Sequence, residues 1–239
     1  MLHTMVDEPT GHHSATLIFL HGSGGAGVTV RSWIQECFAR IGDEEGLQFK
    51  HIKVIYPTAT PQPYTLTGGD PSNVWFDRVA LQLKAQEARK STDKMLEMLA
   101  ELIQVEIDAG IPPSRIIIGG FSMGGSMSFH IGYRKRLDLG GIFAMSSFLY
   151  DDSAVYPDLK ELKKKNSDVT MPELFMTHGT QDELVLFQWG RKTFEKLKEL
   201  GVKGRFHASN QTHQIRSEEI VLLKEWVLEK LPSNLISKL

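Results

Sequence analysis

A single cysteine, Cys37, stands in a chain of 239 residues, so no intrachain disulfide can form and a reducing compartment, the cytosol, is expected. An excess of charge of either sign is missing too. The formal net charge of −2 gives no electrostatic footprint for nucleic acid or an anionic membrane, so neither is expected as a partner. No apolar stretch is long enough to span a bilayer. The first residues, Met1 to His13, are polar, contain Pro9 and Gly11, and lack the apolar run of a signal peptide. With Leu rather than Gly at position 2 and no C-terminal C-a-a-X box, N-myristoyl and prenyl anchors are not expected. No Pro/Gly/Ser-rich linker, charge block, low-complexity tract or internal repeat divides the chain. The expected organisation is a flexible leader over 1–13 and one domain over 14–239.

What is present centres on Arg115-Ile116-Ile117-Ile118-Gly119-Gly120-Phe121-Ser122-Met123-Gly124-Gly125. Three β-branched residues ending in glycines predict a short buried strand, and Ser126 to Tyr133 carries Met, Phe, His and Ile at helical spacing. Between them Gly120-Phe121-Ser122-Met123-Gly124 spells G-x-S-x-G, a nucleophile elbow in its strand–turn–helix setting. The glycines answer a steric need, because side chains two residues either side of a serine in so sharp a turn would strike backbone. Such a turn sets the Ser122 hydroxyl at a helix N-terminus, where partial positive charge favours a developing anion.

Further strands are predicted at Ser14–Leu20, His51–Tyr56, Gly141–Met145, Glu173–Thr177 and Lys203–Ala208. Helices are predicted around Ser32–Ala39, at Ser91–Ala109, Gln188–Leu200 and Ser217–Leu231, the last with Ser217 as its N-cap. Thr58 to Asp70, with three prolines and two glycines, is expected as an irregular loop, and Ser146 to Lys165 as a loop with one short helix. Strands alternating with helices predict an α/β fold: a mostly parallel central sheet with helices on both faces and ligands at the carboxyl ends of the strands.

A serine hydroxyl needs a base within hydrogen-bond reach, and the base needs a third group to fix its tautomer. In α/β-hydrolases the chain order is Ser, then Asp or Glu, then His. Of nine histidines only His213 falls in a loop between the final strand and the final helix, downstream of every candidate acid. His21 and His178, each followed by Gly at a strand end, are expected to shape backbone near the site. Asp182, in the loop after the penultimate strand, is the expected acid; Asp77, Asp151, Asp152, Asp158 and Glu183 are rivals. The oxyanion hole calls for two backbone N–H groups, that of Met123 and one from the first strand's loop, for which Ser23 is the choice. Trp75, Phe76, Phe148 and Leu184 are candidates for the substrate pocket, with segments 58–76 and 148–156 as its walls. Gly22-x-Gly24-x-x-Gly27 also matches the dinucleotide fingerprint, but Asp43, Glu44 and Glu45 precede the second strand instead of capping its end, which rules that reading out.

The chain resembles the acyl-protein thioesterases and lysophospholipases, nearest the lysophospholipase-like members. The likeness rests on Phe19-Leu20-His21-Gly22-Ser23-Gly24, Tyr56-Pro57-Thr58-Ala59, Ser72-Asn73-Val74-Trp75-Phe76-Asp77-Arg78, the elbow, Phe143-Ala144-Met145-Ser146-Ser147-Phe148-Leu149, and His178-Gly179-Thr180-Gln181-Asp182-Glu183-Leu184-Val185. It implies an α/β-hydrolase fold and a cytosolic serine hydrolase, monomeric or weakly dimeric, acting on carboxylic esters and on thioesters of S-acylated proteins. It implies the same Ser122, Asp182 and His213, with Ser23 and Met123 for the oxyanion, and no cofactor or metal. The lysophospholipase-like affinity implies an open groove and short acyl chains. A long-chain thioesterase, and a hydrolase-fold protein that binds lipidated partners without turnover, stay open as alternatives.

Overall fold

The computed structural model describes residues 2–233, so Met1 of the expected leader and 234–239 of the expected domain lie outside the described residues. Along the chain come β1 (His3–Asp7), β2 (Ala15–Leu20), α1 (Gly27–Ala39), β3 (Ile52–Thr58), β4 (Pro61–Pro63), β5 (Pro71–Asn73) and α2 (Arg89–Asp108). Then follow β6 (Ile116–Phe121), α3 (Met123–His130), β7 (Gly141–Met145), α4 (Val155–Lys165), β8 (Leu174–Gly179), α5 (Phe187–Glu199), β9 (Gly204–Ser209) and α6 (Ser217–Lys230). The main sheet runs β1-β3-β2-β6-β7-β8-β9, parallel throughout except where β1 meets β3.

Strand period decides which core each residue joins. Ala15, Leu17 and Phe19 of β2 face α1 and α6, while Ile18 and Leu20 face the opposite core, which takes residues from α2, α3, α4 and α5. β6 is buried at every residue, as a central parallel strand covered on both faces requires. From β2 the chain steps one way to β3, then returns to lay β6 on the other side and continues outward through β9. The order reverses between β2 and β6, so the crevice outside their carboxyl ends is the natural ligand site.

Three expectations change. The leader is not free: His3–Asp7 pairs antiparallel with β3, and Asp7 meets Arg31 of α1 at 2.7 Å. Its polar composition hides a strand because an edge strand keeps one face toward solvent. The segment read as an irregular loop, Thr58 to Asp70, holds one strand of a small hairpin, Pro61–Pro63, which pairs with Pro71–Asn73 just beyond it, and three-residue strands fall below any periodicity signal. Ser217 is the first helical residue, not the cap. Its hydroxyl donates to the Cys37 carbonyl at 2.6 Å and ties α6 to α1, while extended Arg216 takes the capping position.

Candidate active site

Ser122 occupies the turn between β6 and α3 with φ 54° and ψ −117°, a left-handed conformation that costs a non-glycine residue of order 1–3 kcal/mol. Neighbours hold it there. Its amide donates to the Met145 carbonyl at 2.8 Å, and its carbonyl accepts the Ser147 hydroxyl at 2.7 Å. A Cβ at Gly120 or Gly124 would stand 2.3 or 2.4 Å from the Leu20 carbonyl oxygen, so the glycines of the motif let the elbow press against β2.

The structure brings Ser122, His213 and Asp182 into one line. Ser122 Oγ lies 3.1 Å from Nε2 of His213, and Nδ1 of His213 lies 2.7 Å from Oδ2 of Asp182. Oδ1 of Asp182 accepts the amides of Leu184 at 3.0 Å and Val185 at 2.8 Å. Burial alone would raise the Asp182 carboxyl. The contacts with His178 and His213 and the Val185 amide outweigh it and hold the group well below the usual carboxylate range. An ionised Asp182 can only accept, so His213 carries its proton on Nδ1 and turns the lone pair of Nε2 toward the serine. That is the state a general base requires. Phe121 backs the imidazole with ring centroids 4.8 Å apart.

The loop after β2 is pinned beside this line. His21 Nδ1–H donates to the Gly22 carbonyl at 2.6 Å, and its Nε2 accepts the Ala59 amide at 3.0 Å. Both ring nitrogens are thereby committed, which agrees with a pKa lowered by burial. Trp75 Nε1 donates to the His21 carbonyl at 2.8 Å. The amides of Gly24 and Gly25 go to the Asn73 and Gly22 carbonyls, whereas the Ser23 amide has no carbonyl acceptor among the described residues. The Ser23 hydroxyl approaches Met123 Sδ at 3.6 Å, which brings the two expected oxyanion residues side by side. The Met123 amide opens α3 and so has no acceptor within its own helix.

The rival acids are occupied elsewhere. Asp77 accepts the Thr65 amide and hydroxyl, Asp151 pairs with Lys192 and Lys196, Asp158 with Arg134, and Asp152 receives the Glu87 amide. Glu183 is exposed. The dinucleotide reading fails here as well, since Thr58 at the end of β3 accepts the Gly27 amide at 2.9 Å and Asp43 pairs with Lys224.

The expected pocket walls are a correction. Trp75, Phe76 and Phe148 are at most 2% exposed and belong to the core instead of lining an opening. For Phe76 and Phe148 the cause is Arg78, whose buried guanidinium lies 5.1 to 5.7 Å from the ring centroids of Phe76, Phe148 and Tyr150 and donates to Ser126 at 3.1 Å. A cation shared among three rings draws the two segments together and fills the space between them. Leu184 is 54% exposed beside Asp182. The cavity that adjoins the serine is a groove of about 400 Å³ on the α1 side, with Gly22, Ser23, Thr29, Val30, Trp33 and Phe121 in its lining. Ser23 and Thr29 are exposed, so the groove opens to solvent. Trp33 and Phe121, which meet edge to face at 5.1 Å, are not among the expected pocket residues. Phe121 sat in plain view as the second residue of the elbow motif, but Trp33 carried no signal beyond helical spacing.

The profile of the phospholipase/carboxylesterase family matches residues 1–230. Lysophospholipase-like protein 1 of Mus musculus is 46% identical over 230 residues, covering 96% of this chain and 92% of that one. Acyl-protein thioesterase 1 of Neurospora crassa is 33% identical over 226 residues, covering 92% and 88%. Among solved structures, acyl-protein thioesterase 2 of Zea mays superposes with a TM-score of 0.78 at 26% identity, over 97% of this chain and 100% of that one.

Proposed function

This chain belongs to the phospholipase/carboxylesterase family and is an α/β-hydrolase of the esterase and acyl-protein thioesterase kind, and from that premise we propose that it hydrolyses short acyl esters and thioesters through Ser122, His213 and Asp182. The observation that carries this reading is the continuous contact from hydroxyl through imidazole to carboxylate. Ser122 Oγ attacks the acyl carbon as His213 Nε2 takes its proton. The tetrahedral oxyanion is received by the amides of Ser23 and Met123, each worth about 3 kcal/mol to the transition state. His213 returns the proton to the departing alcohol or thiol, and water then cleaves the acyl-serine by the same route.

Short acyl groups are favoured because Arg78 and its three rings fill the region where a long chain would be enclosed. A buried methylene contributes about 0.8 kcal/mol, but only if the site removes it from water. The open groove does so incompletely. A kcat/KM series over p-nitrophenyl esters from acetyl to palmitoyl tests the assignment. The expected profile peaks at short chains and then falls; a rise with each added carbon would instead make the protein a long-chain thioesterase. Among the described residues no helix is long and apolar enough to cross a membrane. With one buried cysteine, the reading assigns the protein to the cytosol.

A further inference from the structure

His178 lies wholly buried near the end of β8, and its two ring nitrogens have unlike surroundings. Nε2 is 2.8 Å from the Val185 carbonyl oxygen and 3.4 Å from Oδ2 of Asp182. Nδ1 has no hydrogen-bond partner among the described residues. A carbonyl and a carboxylate only accept, so Nε2 bears a proton. The fold reserves space for this ring: a Cβ at Gly190 of α5 would stand 2.2 Å from Nδ1. Phe187 meets the ring edge-on at 5.9 Å.

The turn that His178 touches is the one that aims the acid. Val185 offers its carbonyl to His178 and its amide to Oδ1 of Asp182, while Oδ2 lies between His178 and His213. We propose that His178 is a positioning residue of the reaction: its Nε2–H clamps the 182–185 turn and keeps the Asp182 carboxylate directed at Nδ1 of His213. It acts through Asp182 and touches no substrate. This rests on the serine-hydrolase reading above.

The test compares His178→Leu with His178→Gln, whose side-chain amide nitrogen reaches the place of Nε2. Steady-state kinetics on p-nitrophenyl acetate, thermal unfolding, and the low-field proton NMR signal of His213 Nδ1–H are measured on each. The Leu variant is expected to lose about 10- to 100-fold in kcat, the scale seen when a partner behind a reacting group is removed, with KM little changed. Its low-field signal is expected to shift or vanish, and the Gln variant to recover most of both. A folded Leu variant with wild-type kcat and signal overturns the proposal. If the Leu variant does not fold, His178→Gln and His178→Asn decide it. The Asn amide stops at the place of Nδ1, so equal kcat in the two would contradict the clamp, and an active Gln with an impaired Asn would support it. A wild-type protein that cleaves no ester would sink the triad reading itself, which separates the two failures.

Discussion

Asp182 and His213 meet at 2.7 Å at the carboxyl edge of the sheet, and Glu87 and His130 meet at 3.1 Å at the far end of the helix that follows Ser122. Both are carboxylate–imidazole contacts with a buried acid. They differ at the other ring nitrogen. That of His213 faces the Ser122 hydroxyl at 3.1 Å, whereas Nδ1 of His130 faces the Arg134 guanidinium at 3.3 Å. A guanidinium only donates, so it occupies the lone pair that a base would need. Arg134 is itself anchored to Asp93 and Asp158. Exposure separates them further, since the His213 side chain is 14% open to solvent and those of His130 and Glu87 only 2%. An acid beside an imidazole is therefore no catalytic signature by itself. The partner on the second nitrogen decides whether the pair can move a proton or merely hold the fold.

The sharpest way to break this contrast is to remove the charge from each pair in turn. Asp182→Asn is expected to lower kcat by about 10⁴-fold, through loss of the imidazole tautomer. Glu87→Gln should leave kcat on p-nitrophenyl esters within a few-fold of wild type. Comparable losses in the two variants would erase the distinction. The next effect is on stability. His130→Ala removes one hydrogen-bond partner from the buried Glu87, which keeps the Ala154 amide, and is expected to cost about 3 kcal/mol and lower Tm by roughly 10 °C in a domain of this size. The kcat of the folded remainder should be unchanged, and calorimetry together with initial rates at 25 °C would show both.

The smallest effect is a pH dependence. Burial alone would raise the Glu87 carboxyl from its ordinary 4.5, but the contact with His130 and bonds from Ser153 and the Ala154 amide hold it down at about 2. A carboxyl depressed in the folded state contributes stability that is complete above pH 4.5 and lost as pH falls toward 2. Its size is on the order of 3 kcal/mol. Denaturant unfolding across that window should show a shallower decline in Glu87→Gln than in wild type. Asp182, depressed in the same sense, should keep the variant's curve from becoming flat. An unaltered slope would mean that Glu87 is not held down by its surroundings.

Local rules made much of the candidate site's geometry legible in the sequence. The steric demand for glycine at 120 and 124 located Ser122, and chain order located Asp182 and His213 although they lie 60 and 91 positions further on. β7 falls where it was expected because five buried residues in a row leave little freedom. What escaped depends on contacts between distant segments. Trp75, Phe76 and Phe148 are as hydrophobic as pocket walls would be, and nothing local reveals that Arg78 gathers Phe76 and Phe148, and the His21 carbonyl holds Trp75, in the core. The clamp at His178 is hidden in the same way, since the Gly190 that admits its ring belongs to α5 and not to β8. The edge strand His3–Asp7 draws its order from β3, about fifty residues away along the chain.

The central claim is that position, and not composition, makes Ser122 a nucleophile among many serines. The most direct measurement is to react the folded protein with a fluorophosphonate and to map the adduct by peptide mass spectrometry. A single phosphonyl group on Ser122 that disappears in Ser122→Ala is the result this account predicts. No labelling of the wild-type protein, or labelling that persists at another residue after Ser122→Ala, would contradict it.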